Sequence, residues 1–439
     1  MAVRDVVQAA AGVGFDTYWI ALLGGSGLDI GYAVAVDSSK NIIVAGRTES
    51  DGAGGSDCLI AKYDSSGTLL WDKTLGGSGT DYFNGVTTDS SDNIIAVGPV
   101  ASDGAGSYDC LIAKYDSSGT LVWDRTLGGS SEENAYGVTT DSSDNIIVAG
   151  RTESDGAGGR DCLIAKYDSS GTLLWNRTLG GSGTDIANGV VVDSSDDIIA
   201  VGSTTSDGAG GTDCLIAKYN SSGTLLWDRT LGGGGTDYFN DVAVDSFDNI
   251  IAVGPVNSDG AGGYDFLIAK YDSSGTLLWD RTLGGTDDEI AYSVTTDSFD
   301  NIIAVGRTSS IGVFGTECLI AKYDSSGTLL WDRILGGNSN DYAYSVTTDS
   351  SDNIIVAGYT ASDGAGGNDA FVAKLPPDGS GTGTYGSLFY QDSVLTDAAA
   401  VLTDASAVLT DAAAVLTDAP AVLTDAVAVL TEEFFEITP

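Results

Sequence analysis

The chain has 439 residues, of which 62 are acidic, 19 are basic and none is histidine, so its formal net charge is −43. A surface of this charge repels phosphate backbones and anionic headgroups, so we expect neither nucleic-acid binding nor binding to a membrane surface. Without histidine, His-based catalytic triads and His-ligated metal sites are excluded.

Residues 1–13 are predicted to form an N-terminal tail outside the repeated part of the chain. They contain no apolar segment typical of a signal peptide. No apolar run elsewhere approaches the roughly 18 residues that a membrane-spanning helix needs. The sequence therefore predicts no signal peptide and no membrane insertion.

Residues 14–377 consist of one unit repeated seven times. The repeat is marked by tryptophans, each 52 residues from the next: Trp19, Trp71, Trp123, Trp175, Trp227, Trp279 and Trp331. A period of this length is typical of propellers and solenoids.

Each unit reads as four short strands. In residues 68–119, segments rich in Val, Ile, Leu, Thr and aromatic residues alternate with clusters of Gly, Asp and Ser, which is the pattern of strands and tight turns. The predicted fold class is all-β, a closed seven-bladed β-propeller of four-stranded blades, with a β-solenoid as the alternative. The last unit lacks its own Trp strand, so the strand around Trp19 is predicted to complete the last blade.

The repeated patterns GxDxAxxVxxDSSxNIxVxG and DxxxAKYDSSGxLxW resemble the seven-bladed β-propeller repeat (SBBP) family over residues 14–377. This resemblance implies a propeller fold that is frequently extracellular and has no common catalytic residues.

Residues that keep step with the tryptophans are predicted to be scaffold. One lysine per unit lies in an apolar strand, where an unpaired charge would cost several kcal/mol, so we predict a structural Lys–Asp pair in each blade. The lysines are Lys62, Lys114, Lys166, Lys218, Lys270, Lys322 and Lys374. Two sets of acids are candidate partners, one represented by Asp57 and the other by Asp37. Cys58 and its four copies share their repeat position with Phe266 and Ala370, which predicts a buried apolar position rather than a ligand.

A third set of acids lies in the loop before the first strand of each blade, which in a propeller faces the mouth of the central channel. Seven carboxylates there are candidate ligands for a cation, with calcium as the only candidate cofactor. Capping of the loop backbone is the alternative interpretation. The set is Asp29, Asp81, Glu133, Asp185, Asp237, Glu289 and Asp341.

Sequence differences between the copies concentrate in the loops of one rim. Loops on a rigid scaffold commonly carry binding function, and aromatic rings beside hydrogen-bonding groups suit glycans and proteins. The predicted ligand-binding residues are Tyr82, Tyr108, Tyr136, Arg160, Tyr238, Tyr264, Tyr292, Phe314, Tyr342 and Tyr359. The same rim also carries Tyr344. The alternative is that these side chains only pack between blades, which the repeated pairs Tyr82-Phe83 and Tyr238-Phe239 favour at their positions.

The sequence does not predict an enzyme. It contains no phosphate-binding glycine loop with its lysine. Hydrolysis by a pair of carboxylates is the third-ranked function in so acidic a chain, although no single blade is distinguished as its site.

The composition changes after residue 377. Residues 378–393 are predicted to be a Gly/Ser/Pro linker, and residues 394–439 repeat a heptad that reads VLTDAAA. Heptads of Leu, Val and Ala fit parallel helices, whereas Pro420 and the lack of basic partners do not; β-rich association and disorder are the alternatives. We predict an oligomerisation tail and a homo-oligomer.

Both terminal segments also resemble those of marine bacteriophage structural proteins. The predicted function is that of a non-enzymatic binding or structural protein, a phage or virus appendage that contacts a glycan or protein of the host surface. Its predicted location is the virion or the extracellular space. The alternative is a secreted or cell-surface bacterial adhesion module.

Overall fold

The structure is a computed structural model that describes most of the chain. The described residues are 6–9, 18–104, 106–260, 262–310, 315–364, 366–381, 383–385, 387–393, 395–400, 402–405, 407, 409–414, 416–419, 421, 423–426 and 431–433. Within these residues, every regular element is a β-strand, and no helix could cross a membrane.

Strands follow the tryptophan repeat and form seven antiparallel blades. Two strands precede the first complete blade, β1 (Val6–Ala9) and β2 (Tyr18–Gly24). Blade 1 contains β3 (Asp29–Val36), β4 (Ile42–Thr48), β5 (Asp57–Tyr63) and β6 (Leu69–Gly76). Blade 2 contains β7 (Gly85–Thr88), β8 (Ile94–Val100), β9 (Asp109–Tyr115) and β10 (Leu121–Gly128). Blade 3 contains β11 (Glu133–Thr140), β12 (Ile146–Thr152), β13 (Asp161–Tyr167) and β14 (Leu173–Gly180).

The remaining blades repeat this order. Blade 4 contains β15 (Asp185–Val192), β16 (Ile198–Thr204), β17 (Asp213–Tyr219) and β18 (Leu225–Gly232). Blade 5 contains β19 (Asp241–Val244), β20 (Ile250–Val256), β21 (Asp265–Tyr271) and β22 (Leu277–Gly284). Blade 6 contains β23 (Glu289–Thr296), β24 (Ile302–Thr308), β25 (Glu317–Tyr323) and β26 (Leu329–Gly336). Blade 7 contains β27 (Asp341–Thr348), β28 (Ile354–Thr360) and β29 (Asp369–Leu375).

The N-terminal strand completes blade 7. Strand β2 pairs with β29 in antiparallel register, with Trp19 opposite Lys374. The predicted fold class, an all-β propeller with seven blades, is therefore confirmed, as is the predicted origin of the last blade's fourth strand.

The blades belong to two compact units. The three-blade unit comprises blades 6, 7 and 1 and is formed by Met1–Phe83, Asp287–Leu395 and Thr424–Pro439. The four-blade unit comprises blades 2 to 5 and is formed by Asn84–Thr286 and Thr396–Leu423. In each unit the core lies between consecutive blades, where runs such as Asn-Ile-Ile-Ala are buried on both faces of the sheet.

The tryptophan period has a packing cause. Five tryptophans cover a glycine in a tight turn of the following blade: Trp19, Trp123, Trp175, Trp227 and Trp331. The Trp19 indole, for example, donates a hydrogen bond to the Ser65 carbonyl at 3.3 Å. Gly67 in this turn has a φ of 87°, and a Cβ there would lie 2.7 Å from a Trp19 ring carbon. The turn therefore requires glycine, and the spacing of blades fixes the spacing of the tryptophans.

The predicted Lys–Asp pairs are present in all seven blades. The partner is the aspartate after the first strand: Lys62 Nζ lies 2.9 Å from Asp37 Oδ2, and the other six pairs measure between 2.6 and 3.1 Å. Both partners are buried, so each pair neutralises its own charges in the interior. The five cysteines are also buried and free, as the sequence predicts, and burial raises the pKa of their thiols.

The C-terminal repeats supply a further strand to each blade. The segment predicted as a linker contains β30 (Gly383–Tyr385) and β31 (Leu388–Asp392). The heptads contain β32 (Thr396–Ala398), β33 (Thr403–Ala405), β34 (Thr410–Ala413), β35 (Thr417–Ala419), β36 (Thr424–Ala426) and β37 (Thr431–Glu433). Strands β31 to β37 pair, in this order, with the outer strands of blades 6, 5, 4, 3, 2, 1 and 7.

This arrangement differs from the helical association considered for the heptads. The described tail residues are strands, and each heptad serves one blade because its leucine fits beside the tryptophan of an outer strand. Leu402, Leu409 and Leu416 pack in the clusters of Trp227, Trp175 and Trp123, respectively. The tail strands cover blade edges that would otherwise be open to other chains. Oligomerisation through the tail stays a prediction.

Candidate functional site

The first strand of each blade has one position at which the residue differs between blades. At this position the strand carries a β-bulge, at Tyr32 in β3, Tyr292 in β23 and Tyr344 in β27. A bulge leaves its residue unpaired and redirects the side chain. Blades 2 and 4 carry Asn84 and Asn188 at the equivalent position.

In blades 2 and 4 the asparagine at this position joins its blade to the next one. The side-chain amide of Asn84 donates to the Ala135 carbonyl at 2.9 Å, and that of Asn188 donates to the Phe239 carbonyl at 2.8 Å. In the three-blade unit the next residue along the chain replaces this link. The Ser345 hydroxyl accepts a hydrogen bond from the Val34 amide at 3.1 Å, so the tyrosine beside it is free of that scaffold role.

The three tyrosines at the bulge position and three neighbouring tyrosines form one aromatic cluster, which we call the tyrosine cluster. Its members are Tyr32, Tyr82, Tyr292, Tyr342, Tyr344 and Tyr359. Tyr344 is at its centre, with ring centroids 5.2 Å from Tyr32, 5.1 Å from Tyr292 and 5.9 Å from Tyr359. Tyr342 lies 4.8 Å from Tyr359 and 6.0 Å from Tyr344, and Tyr82 lies 6.0 Å from Tyr32. All except Tyr359 keep part of their surface exposed.

Two arginines accompany the cluster. The Arg307 guanidinium lies over the Tyr342 ring at 5.2 Å from its centroid, a cation–π geometry. Arg47 occupies the equivalent position in blade 1, and Tyr359 occupies it in blade 7, which lies between blades 6 and 1. The three positions are equivalent in that each residue pairs across the sheet with the second residue of its blade's first strand. The cluster is therefore flanked by one arginine on each side.

The hydroxyls of Tyr32, Tyr292 and Tyr344 stay protonated at neutral pH. Burial raises the pKa of Tyr32, Tyr292 and Tyr344, and neighbouring tyrosines add to the rise at Tyr344. The charge of Arg307 opposes the rise at Tyr292, and that of Arg47 opposes it at Tyr32. The cluster thus offers neutral hydroxyl groups and ring faces beside two positive charges.

The predicted ligand-binding residues divide between this cluster and other places. Tyr82, Tyr292, Tyr342 and Tyr359 belong to it. Tyr32 was not among the predicted residues, and no role was predicted for the bulge position. The alternation of Tyr and Asn at that position is the signal in the sequence that could have identified it. The buried side chains of Phe83 and Phe239 confirm the packing interpretation for those two rings.

The other predicted residues that the structure describes belong to the four-blade unit, in blades 2 to 5. Tyr136 is at the bulge position of blade 3, and its hydroxyl lies 3.3 Å from the side-chain amide of Asn134. Arg160 pairs with Glu153 at 2.5 Å. Tyr108, Tyr238 and Tyr264 are partly exposed loop residues. Phe314 lies outside the described residues.

The seven acids considered as cation ligands are buried in their loops and accept hydrogen bonds from them. Asp185 is typical: its carboxylate accepts from the Gly181 amide at 2.9 Å, the Ser206 hydroxyl at 2.7 Å and the Thr204 hydroxyl at 2.5 Å. This is the geometry of the capping interpretation. Among the described residues, no group of three or more acids or cysteines is arranged to hold a metal ion. Calcium binding stays a prediction.

Some of these acids have a second buried carboxylate as a neighbour. Asp213 faces Asp237, and Glu317 faces Asp341, across the first glycine of a Gly-Gly pair. Both oxygens of Asp213 and of Glu317 are buried, and none of them has a hydrogen-bond partner among the described residues. Burial, together with the neighbouring Asp341 charge, raises the pKa of Glu317 to about 8. Because these pairs are fully buried, a substrate does not reach them.

The glycine between two such acids provides a test of this packing. A Cβ at Gly232 would overlap the Asp213 carboxylate and lie 3.0 Å from Asp237 Oδ2. We expect Gly232→Ala to lower the free energy of unfolding by about 1–3 kcal/mol, as overpacking does. Gly234→Ala is the control two residues away, since nothing lies within 4 Å of a Cβ there. Urea unfolding of both variants measures the difference, and equal midpoints would contradict the arrangement.

Comparison with known proteins supports the fold. A β-propeller domain of unknown function, DUF5122, matches residues 350–381. An uncharacterised WD repeat-containing protein of Acanthamoeba polyphaga mimivirus is 22% identical over 77% of this chain. The chain covers only 36% of that protein's length. The resemblance to SBBP repeats and to phage proteins stays a prediction.

Two solved structures are similar to this chain at low identity. A gluconolactonase of Xanthomonas campestris is 12% identical, with a TM-score of 0.37 over 86% of this chain and 97% of the enzyme. The polysaccharide lyase Uly1 is 9% identical, with a TM-score of 0.46 over 79% of this chain and 90% of the lyase. The prediction that the protein is not an enzyme is therefore wrong, because the solved structures to which the chain is similar include enzymes. Identity at this level assigns no activity to the chain.

Proposed function

We propose that the protein is a binding protein whose tyrosine cluster contacts a glycan or a protein on a host surface. The observation that carries this proposal is the difference between the two units. Nearly identical repeats use the bulge position for a structural Asn link in blades 2 and 4, whereas blades 6, 7 and 1 place tyrosines there and gather them together.

The composition of the cluster suits recognition. Tyrosine combines a large apolar ring with a hydroxyl and is enriched at the centres of binding surfaces. Partly exposed rings with centroids about 5–6 Å apart form a continuous platform rather than isolated core residues. A scaffold that needed only packing would bury these rings, as it buries Phe83 and Phe239.

The proposed setting is a phage or virus appendage. A viral WD-repeat protein among the relatives supports it, as does the resemblance of both termini to phage structural proteins. The second candidate is a secreted or cell-surface bacterial adhesion module, which the SBBP-like repeat pattern favours. Fractionation of producing cultures separates these settings, because the first predicts recovery with particles and the second recovery with the cell envelope or the medium.

Retention of the purified full-length protein on immobilised glycans and on bacterial envelope preparations tests the binding function. We expect saturable retention on at least one of these surfaces, and unlabelled protein should compete for it. A protein that passes every surface without retention would contradict the proposal.

A further inference from the structure

Positive charge is scarce on this molecule, and most of the described basic side chains are engaged by an acid or by a tryptophan ring. Seven lysines are consumed by the buried Lys–Asp pairs. Five arginines lie over the tryptophans of their own strands: Arg125, Arg177, Arg229, Arg281 and Arg333. Arg151 and Arg160 pair with glutamates. The two arginines beside the tyrosine cluster stand out against this background.

Arg47 and Arg307 keep unused hydrogen-bonding capacity. The Nε atoms of both are buried, and neither has a hydrogen-bond partner among the described residues. A guanidinium in this state has lost water at one donor without gaining a protein acceptor, which is energetically unfavourable. Glu49 and Asp288 are the nearby acids, and they act on the cluster through charge rather than through a bond to these Nε atoms.

The side chains of Arg47 and Arg307 are partly exposed as a whole, and together with the tyrosines they specify a ligand chemistry. A guanidinium binds a carboxylate through two parallel hydrogen bonds, a geometry that ammonium groups do not offer. Ring faces of tyrosine pack on the apolar face of a sugar, and the neutral hydroxyls exchange hydrogen bonds with sugar hydroxyls. Both features meet on β3, β4, β23, β24, β27 and β28 of one compact unit.

We infer that the tyrosine cluster with Arg47 and Arg307 binds a carboxylated sugar, a uronic or sialic acid residue of a surface glycan. This inference rests on the proposed binding function and names its ligand class. The sugar ring lies on the tyrosines, and its carboxylate takes the place of water at a guanidinium. An acidic peptide satisfies the arginines but leaves the aromatic platform without a matched partner.

The experiment compares glycans that differ only in the carboxylate. Conjugates of glucuronic, galacturonic and N-acetylneuraminic acid are immobilised beside the same sugars with the carboxyl reduced to an alcohol. We expect the full-length protein to bind at least one acid at least about tenfold more tightly than its reduced form, the usual worth of one hydrogen bond to a charged group. Arg307→Gln and Arg47→Gln should abolish that preference, whereas Arg151→Gln, at the equivalent strand position of blade 3 and already paired with Glu132, should keep it.

Each outcome decides between the two claims. Equal binding of acids and reduced sugars, lost when Tyr344 is replaced, would overturn the carboxylate inference and leave the proposed binding function standing. Binding of a glutamate-rich peptide without binding of any acid sugar would also overturn it. Retention of the acid preference in both arginine variants, with melting temperatures unchanged, would assign the preference to another site and overturn the inference.

Discussion

Asp141→Asn is expected to destabilise the protein by about 3–5 kcal/mol, the usual cost of leaving one charge of a buried pair alone. Lys166 Nζ lies 2.8 Å from Asp141 Oδ2, and both side chains are almost fully buried. Without the carboxylate, the ammonium group keeps a single bond of 3.2 Å to the Ser221 carbonyl. The buried positive charge then has no counter-charge.

The reverse replacement should cost less. In Lys166→Met, the Asp141 carboxylate keeps three donors, the Ser143 amide, the Asn145 amide and the Asn145 side chain, each at 2.8–2.9 Å. The double variant should be more stable than Asp141→Asn alone, because it removes the orphaned ammonium group. Urea unfolding of the four proteins measures the coupling. A loss below about 1 kcal/mol for Asp141→Asn, the usual value for an exposed pair, would contradict the account.

Glu317→Gln is expected to stabilise the protein on the alkaline side. The pKa of Glu317 rises from 4.5 to about 8 on folding. Stability that depends on the protonated form is fully present below the unfolded pKa and is lost as pH rises through the folded pKa. Glutamine stays neutral and can donate to Asp341, so the variant should lose less stability than the wild type as the pH approaches about 9.

The measurement is the melting temperature of both proteins between about pH 5 and pH 9. The difference between them should grow with pH, and Asp287→Asn, at an exposed loop position, should leave the curve unchanged. The Lys–Asp pairs predict the opposite behaviour in acid. Although burial opposes it, hydrogen bonds from Lys166 and Asn145 lower the pKa of Asp141, so that contribution is lost as pH falls. A constant difference across the range would contradict the role of Glu317.

The scaffold was predictable because it repeats. A residue that recurs at one repeat position meets the same kind of neighbours in each blade. The spacing of Trp19, Lys62 and Cys58 and their copies therefore predicted, respectively, the outer strand, the ion pair and a buried apolar position. The spacing does not identify the acidic partner of the lysine, since Asp57 and Asp37 recur with the same regularity. Only the folded blade shows that Asp37 reaches Lys62, at 2.9 Å, while Asp57 is buried beside Asp81.

The candidate site was only partly predictable, because it depends on which blades are neighbours. Tyr292, Tyr342 and Tyr359 were identified as rim residues, but their meeting with Tyr32 follows from the packing of blade 7 between blades 6 and 1. The tail illustrates a different limit. A heptad with leucine at each step fits both a helical seam and a strand that meets one blade every seven residues, and the sequence pattern does not distinguish them.

The claim that the tyrosine cluster is the binding site is tested most directly by comparing two variants on one immobilised ligand. Tyr344→Asn introduces the residue that blades 2 and 4 carry at the bulge position, and Tyr136→Asn makes the same change in blade 3, outside the cluster. On the glycan or envelope surface that retains the wild type, we expect the dissociation constant of Tyr344→Asn to rise at least about tenfold, with that of Tyr136→Asn unchanged. Equal affinities of the two variants, with melting temperatures matching the wild type, would contradict the account.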